Sequence, residues 1–230
     1  MDKKIKTIGM VVAMDKEVTP FLKSVGSSLT VEKKGPFEIF SCMIDGKKIH
    51  LIKSGIGEIF ASSATQLLIS EYKVDIILNF GVCGSLVKEV GVMQTVIVKG
   101  VVHYDFDLSL IDDVDVGQYP DMPSPIIETN SELLLFAKGV MSGISEVICA
   151  SADKFVAKES DKIYLNSKFN AEVCDMESAG VLLTARGFKI PCLIIKAVSD
   201  GEGGAEEFNL RVHEASKAYI SVLLQLVKEM

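Results

Sequence analysis

Val74-Asp75-Ile76-Ile77-Leu78-Asn79-Phe80, followed at once by Gly81-Val82-Cys83-Gly84-Ser85, is the stretch that decides the fold. A short, mostly apolar run reads as a strand buried on both faces, the kind that sits inside a parallel sheet. The glycines after it read as a turn, where backbone can pass close to a ligand. The same arrangement recurs outward in both directions. Upstream, residues 7–13 (TIGMVVA) form a first buried strand, and Asp15, Lys16 and Glu17 open a helix. Residues 37–44 and 48–53 read as a hairpin around Asp45-Gly46, and Ser54-Gly55-Ile56-Gly57 as a tight turn before a helix at 59–72. Downstream, 92–102 is a β-branched strand, 104–125 a long acidic loop with Pro120, Pro123 and Pro125, 131–141 a helix and 147–152 a strand. Residues 171–175 are a strand meeting a helix near Met176 or Glu177. Residues 191–198 (PCLIIKAV) are a strand ending at Ser199-Asp200, and 205–229 one long amphipathic helix.

Strands alternating with helices imply an α/β fold with a mostly parallel sheet covered on both faces. The 230 residues suit one domain, 1–230, without repeat or linker. Ligands of such sheets bind beyond the carboxyl ends of the strands. The 81–85 turn, Asp175–Glu177, Ser199-Asp200 and the segment 15–17 all stand at such ends, so they are expected to share one rim.

The net charge of −7 without a Lys/Arg block argues against a nucleic-acid partner. No apolar run approaches the roughly 20 residues that span a bilayer, and the basic start at residues 1–6 reads as the lead-in to a core strand, not a signal peptide. Cys42, Cys83, Cys149, Cys174 and Cys192 lack CxxC spacing and read as buried free thiols of a reducing, cytoplasmic compartment. The three histidines lack metal-ligand spacing, so no metal is expected.

At the rim, each carboxylate has two readings. Asp200 is a helix cap or a general acid held in a partly apolar pocket. Asp175 and Glu177 serve a helix start, or Glu177 accepts both protons of a sugar diol while Met176 packs on the sugar or offers its backbone N–H. Glu17 favours the positive end of its helix, or faces the rim as a base that orients water. Phe155 is a core aromatic or a stacking platform for a planar base.

Ala13-Met14-Asp15-Lys16-Glu17-Val18, Lys53-Ser54-Gly55-Ile56-Gly57, Asn79-Phe80-Gly81-Val82-Cys83-Gly84, Asp153-Lys154-Phe155, Asp175-Met176-Glu177 and Ala197-Val198-Ser199-Asp200 stand in this order. So arranged, the chain resembles the purine nucleoside phosphorylase/uridine phosphorylase superfamily. Within it, the likeness is to the nucleosidases of 5′-methylthioadenosine and S-adenosylhomocysteine. The resemblance covers nearly the whole chain and implies a mixed central β-sheet flanked by helices, a homodimer and no cofactor. It implies that Asp200, oriented by Ser199, protonates purine N7, that Glu177 and the Met176 backbone bind the ribose hydroxyls, and that Glu17 holds the attacking water near Gly81, Val82 and Lys196. It also implies that Phe155 stacks on adenine, that the Val156 backbone reads its edge, and that Leu108 and Pro120 help build a 5′ pocket shared with a neighbouring subunit. Phosphorylases of this superfamily bind phosphate through arginines. Here Asn79 occupies one such place and Asp15 and Glu17 stand near another, so the expected nucleophile is water.

Overall fold

The computed structural model describes residues 5–26 and 29–230. Residues 1–4, part of the basic start discussed above, lie outside them. The strands are β1 (Thr7–Val12), β2 (Thr30–Lys34), β3 (Phe37–Ile44), β4 (Lys47–Lys53), β5 (Ile76–Ser85), β6 (Thr95–His103), β7 (Ile126–Glu128), β8 (Ser145–Ser151), β9 (Val173–Asp175) and β10 (Cys192–Asp200). The helices are α1 (Asp15–Val25), α2 (Glu58–Tyr72), α3 (Ser131–Val140), α4 (Glu159–Phe169), α5 (Ser178–Gly187), α6 (Gly204–Ala218) and α7 (Ile220–Glu229).

All ten strands belong to one sheet. It is mixed, as the resemblance implied, and not mostly parallel as the strand–helix alternation suggested. β5 pairs parallel with β1 and β10, whereas β10 runs antiparallel to β6 and β5 antiparallel to β9. β10, β6, β8, β9 and β5 close into a ring, and β1, β4, β3 and β2 extend from it as a wing. The two-residue period of the strands divides the core. Val11, Ile194 and Val198 face the side covered by α2 and α5, while Met10, Val12, Leu193 and Ile195 face the side covered by α1, α6 and α7.

Three expectations are corrected. Residues 81–85 continue β5 instead of turning, because β10 pairs with them through Lys196↔Gly81, Ala197↔Val82 and Val198↔Cys83. The helix after β9 begins at Ser178, not at Met176 or Glu177. Glu177 has non-helical φ −138° and ψ −27°, and Asp175 accepts the Ser178 N–H at 3.3 Å. The C-terminal helix is two helices, divided at Tyr219. That ring is fully buried 5.3 Å from Phe80, and its hydroxyl donates to the carbonyl of Glu17 at 2.9 Å. The break thus ties the C-terminal segment to the helix that carries Glu17. The five cysteines are all buried and free, and no helix of the described residues is long and apolar enough to cross a membrane.

Candidate active site

β10 ends in Ser199-Asp200 and β9 in Asp175, with Glu177 just beyond, while α1 begins immediately after β1. These ends converge on a cavity of about 330 Å³ lined by Glu17, Val82, Phe155, Met176, Glu177, Ser199 and Asp200, together with Met14, Ile56, Phe208 and others. Cavities of similar volume occur elsewhere, at about 390 and 490 Å³. What distinguishes this one is that Glu17, Asp175, Glu177 and Asp200 all line it although each is buried. A carboxylate leaves water only against a large desolvation cost, so four at one cavity is an expensive arrangement.

Each carboxyl meets a different environment. Asp200 accepts a hydrogen bond from Ser199 Oγ at 2.7 Å, and Ser199 also reaches the Cys83 carbonyl at 3.2 Å. Asp200 is therefore the last residue of a strand, not a helix cap. Burial pushes its carboxyl up to about 6, against the lowering effect of the Ser199 hydrogen bond and the Lys162 charge. A Cβ on Gly84 would sit 3.2 Å from Asp200 Oδ2, so the glycine leaves this carboxyl its space.

Glu177 accepts the Gly57 N–H at 3.0 Å. Burial, and then the nearby Asp175 charge, raise it to about 8. Glu17 spreads its two oxygens between the N–H groups of Met14 at 2.8 Å and Val82 at 2.7 Å. Its approach depends on Gly81, where a Cβ would meet Glu17 Oε1 at 2.5 Å. Burial raises Glu17 above the usual carboxylate range, although the Lys196 charge and the two N–H groups oppose the rise.

Asp175 is the exception. Lys196 Nζ lies 2.7 Å away, and the hydroxyls of Ser151 at 2.6 Å and Ser178 at 2.5 Å donate to the same carboxyl. Burial alone would raise Asp175, but Lys196 and these hydroxyls outweigh it and hold it below its ordinary value. The ammonium of Lys196 is in turn held charged: Asp175, Glu177 and Glu17 overcome its own desolvation.

The structure places the remaining expected residues as follows. Phe155 lines the cavity half-open to solvent and meets Phe208 edge-on, centroids 5.6 Å apart, so it is not a core aromatic. Gly81, Val156 and Lys196 are buried but are not among the lining residues. Leu108 and Pro120 lie in the 104–125 segment, away from the cavity lining. Phe208 escaped the sequence reading, and Met14 and Ile56 stood there only within motifs, without a role at the site. Phe208 is one apolar position among many on an amphipathic helix, and only the packing of α6 beside β10 brings it to the rim.

This fold and this set of buried acids at a strand-end rim define a site suited to a neutral or cationic ring system. Comparison with known proteins agrees. A profile of the Phosphorylase superfamily matches residues 7–229, and the chain belongs to that family. A 5′-methylthioadenosine/S-adenosylhomocysteine nucleosidase of Shewanella loihica is 30% identical over 199 residues, covering 84% of this chain and 85% of that protein. An aminodeoxyfutalosine nucleosidase of Helicobacter pylori is 28% identical, covering 98% of this chain and 100% of its own length. The solved structure of the Helicobacter pylori 5′-methylthioadenosine/S-adenosylhomocysteine nucleosidase with butyl-thio-DADMe-Immucillin-A superposes with a TM-score of 0.93 at 28% identity, covering 99% of this chain and 100% of that one.

Proposed function

We propose that this protein is an N-glycosyl hydrolase that cleaves adenine nucleosides of the 5′-methylthioadenosine and S-adenosylhomocysteine class, releasing adenine. The observation that carries the reading is Asp200. It is a buried carboxyl raised to about 6, held by one hydroxyl, on the same cavity as two further raised carboxyls, Glu17 and Glu177. An adenine anion leaves poorly, so Asp200, oriented by Ser199, delivers a proton to purine N7. The C1′–N9 bond then breaks with its electron pair going to the base. Positioned proton transfer of this kind is worth roughly 10²–10⁴-fold.

The sugar becomes cation-like as the bond breaks. Glu17, Asp175 and Glu177 share one ammonium, Lys196, so the site holds more acid than cation. A positive charge developing on the sugar is stabilised by the nearby carboxylates. Glu177, with the Met176 backbone, binds the ribose hydroxyls. Glu17 takes a proton from the water whose oxygen bonds to C1′, beside Gly81 and Val82. Phe155 stacks on adenine and the Val156 backbone reads its edge. Leu108 and Pro120 complete the 5′ pocket from a second copy in a homodimer, and residues 1–230 act as one domain. The setting is the cytoplasm.

Water is favoured over phosphate because the nearby cation is already committed. The Lys196 side chain is 2% exposed and tied to Asp175, and Asn79 spends its amide on the Val11 carbonyl at 3.1 Å. The test is a panel of 5′-methylthioadenosine, S-adenosylhomocysteine, 6-amino-6-deoxyfutalosine and inosine, each with and without phosphate. Adenine and free ribosyl sugar without phosphate is the expected result. A strict phosphate requirement, with sugar 1-phosphate as product, would overturn it.

A further inference from the structure

We propose that Lys162 is a positioning residue for Asp200, working against Glu207 across the turn that follows the acid. The proposal rests on reading Asp200 as the proton donor. Lys162 lies on α4, where Lys168 is exposed, yet it is itself 4% exposed. Its Nζ donates to the backbone carbonyl of Gly201, the residue next to Asp200. From the other side, Glu207 of α6 accepts the N–H of Gly201 at 2.8 Å and of Gly203 at 3.3 Å. The turn is thus gripped by two charges of opposite sign, one on its carbonyl and one on its N–H groups. Gly203 is needed for the grip, because a Cβ there would meet Glu207 Cβ at 2.7 Å.

A buried ammonium whose hydrogen bond goes to a backbone carbonyl is costly if it only fastens a turn, since an uncharged donor would fasten it more cheaply. Its charge matters because of what faces Asp200. From β5 and β9 come Cys83 and Cys174, thiols that burial keeps neutral. From β10 comes the Ser199 hydroxyl, and from α4 and α6 come Lys162 and Glu207. Glu159 and the exposed Lys88–Glu202 pair, 3.0 Å apart, stand farther out on the cavity that Lys162 and Glu207 share. Lys162 therefore favours the ionised acid and Glu207 the protonated acid. Gripping Gly201 by both its carbonyl and its N–H fixes the backbone next to Asp200, while the two charges pull its proton affinity in opposite directions.

The experiment compares Lys162→Met, Lys162→Arg and Glu207→Gln with the unaltered chain in two readouts: the pH dependence of kcat for adenine release, and a ¹³C-carboxyl titration of Asp200 in the free protein. Activity should fall as pH rises through the acid's titration. That limb moves to higher pH in Lys162→Met, to lower pH in Glu207→Gln and returns in Lys162→Arg, with KM changed less than about threefold because ground-state binding is untouched. The carboxyl titration shifts the same way. A loss of kcat uniform in pH, shifts of like sign in the two charge-removing variants, or an unmoved carboxyl titration would overturn the proposal. If the unaltered protein releases no adenine, the proposed function fails, and the carboxyl titration still decides this inference alone.

Discussion

Asp175 and Asp200 each close a strand on the same rim of one sheet, and both are nearly inaccessible to water. They nevertheless hold protons very differently. Asp175 is surrounded by an ammonium and two hydroxyls and stays ionised. Asp200 has one hydroxyl and a low-polarity wall, and burial raises it to about 6. Burial alone does not make an acid catalyst. The partners left out of the site decide which carboxyl can give up a proton near neutrality and which serves as a fixed charge.

The sharpest way to break this contrast is to exchange each carboxyl for its amide. Asp200→Asn keeps shape but has no acidic proton, so kcat should fall by about 10²–10⁴-fold with an unchanged melting temperature. Near-normal turnover would return Asp200 to a structural role. Asp175→Asn takes from the Lys196 ammonium the carboxylate that it bonds at 2.7 Å, and breaking one side of such a buried pair costs about 3–5 kcal/mol. Denaturant unfolding should register that loss, and a stability within 1 kcal/mol or so of the original would show that the pair is not what holds Asp175.

Glu17→Gln tests the other flank of the cavity. Its amide still accepts the Val82 N–H but cannot take a proton from water, so turnover should drop while nucleoside binding, read by calorimetry, persists. Equal losses in both would mean Glu17 is needed to shape the site.

A smaller effect concerns pH and stability. Burial and the Asp175 charge raise Glu58 from its ordinary 4.5 to about 7, and Glu177 rises to about 8. At these two carboxyls the folded chain therefore binds more protons than the unfolded one between about pH 4.5 and 8. The stability these groups contribute is fully present below that window and is lost as pH rises through it. Melting temperature should decline across the window, and Glu58→Gln should flatten the decline. An undiminished slope would assign it to other groups.

How much of this was legible in the sequence follows from the same physics. β1, β5 and β10 announce themselves because strands buried on both faces must be apolar. β2 (TVEKK) did not, since it is an exposed, charged edge strand whose identity comes from pairing with β3. α4 buries only Lys162, Leu165 and Phe169 and gave too thin an apolar stripe to be seen. At the site, the carboxyls at strand ends could be read, because strand ends are local. Their partners could not. That Lys196 reaches Asp175, that Tyr219 ties the Glu17 carbonyl, and that Phe208 meets Phe155 are consequences of how distant segments dock. That Asp200 closes a strand and does not cap α6 likewise shows only in its surroundings.

The central claim is that the Asp200 carboxyl faces a nucleobase. A crystal structure of Asp200→Asn soaked with 5′-methylthioadenosine tests it directly, since the substrate should survive. The account predicts intact nucleoside with purine N7 within about 3 Å of the residue-200 side chain and the ribose hydroxyls on Glu177. A purine bound elsewhere, or seated with N7 turned away from that side chain, would contradict it.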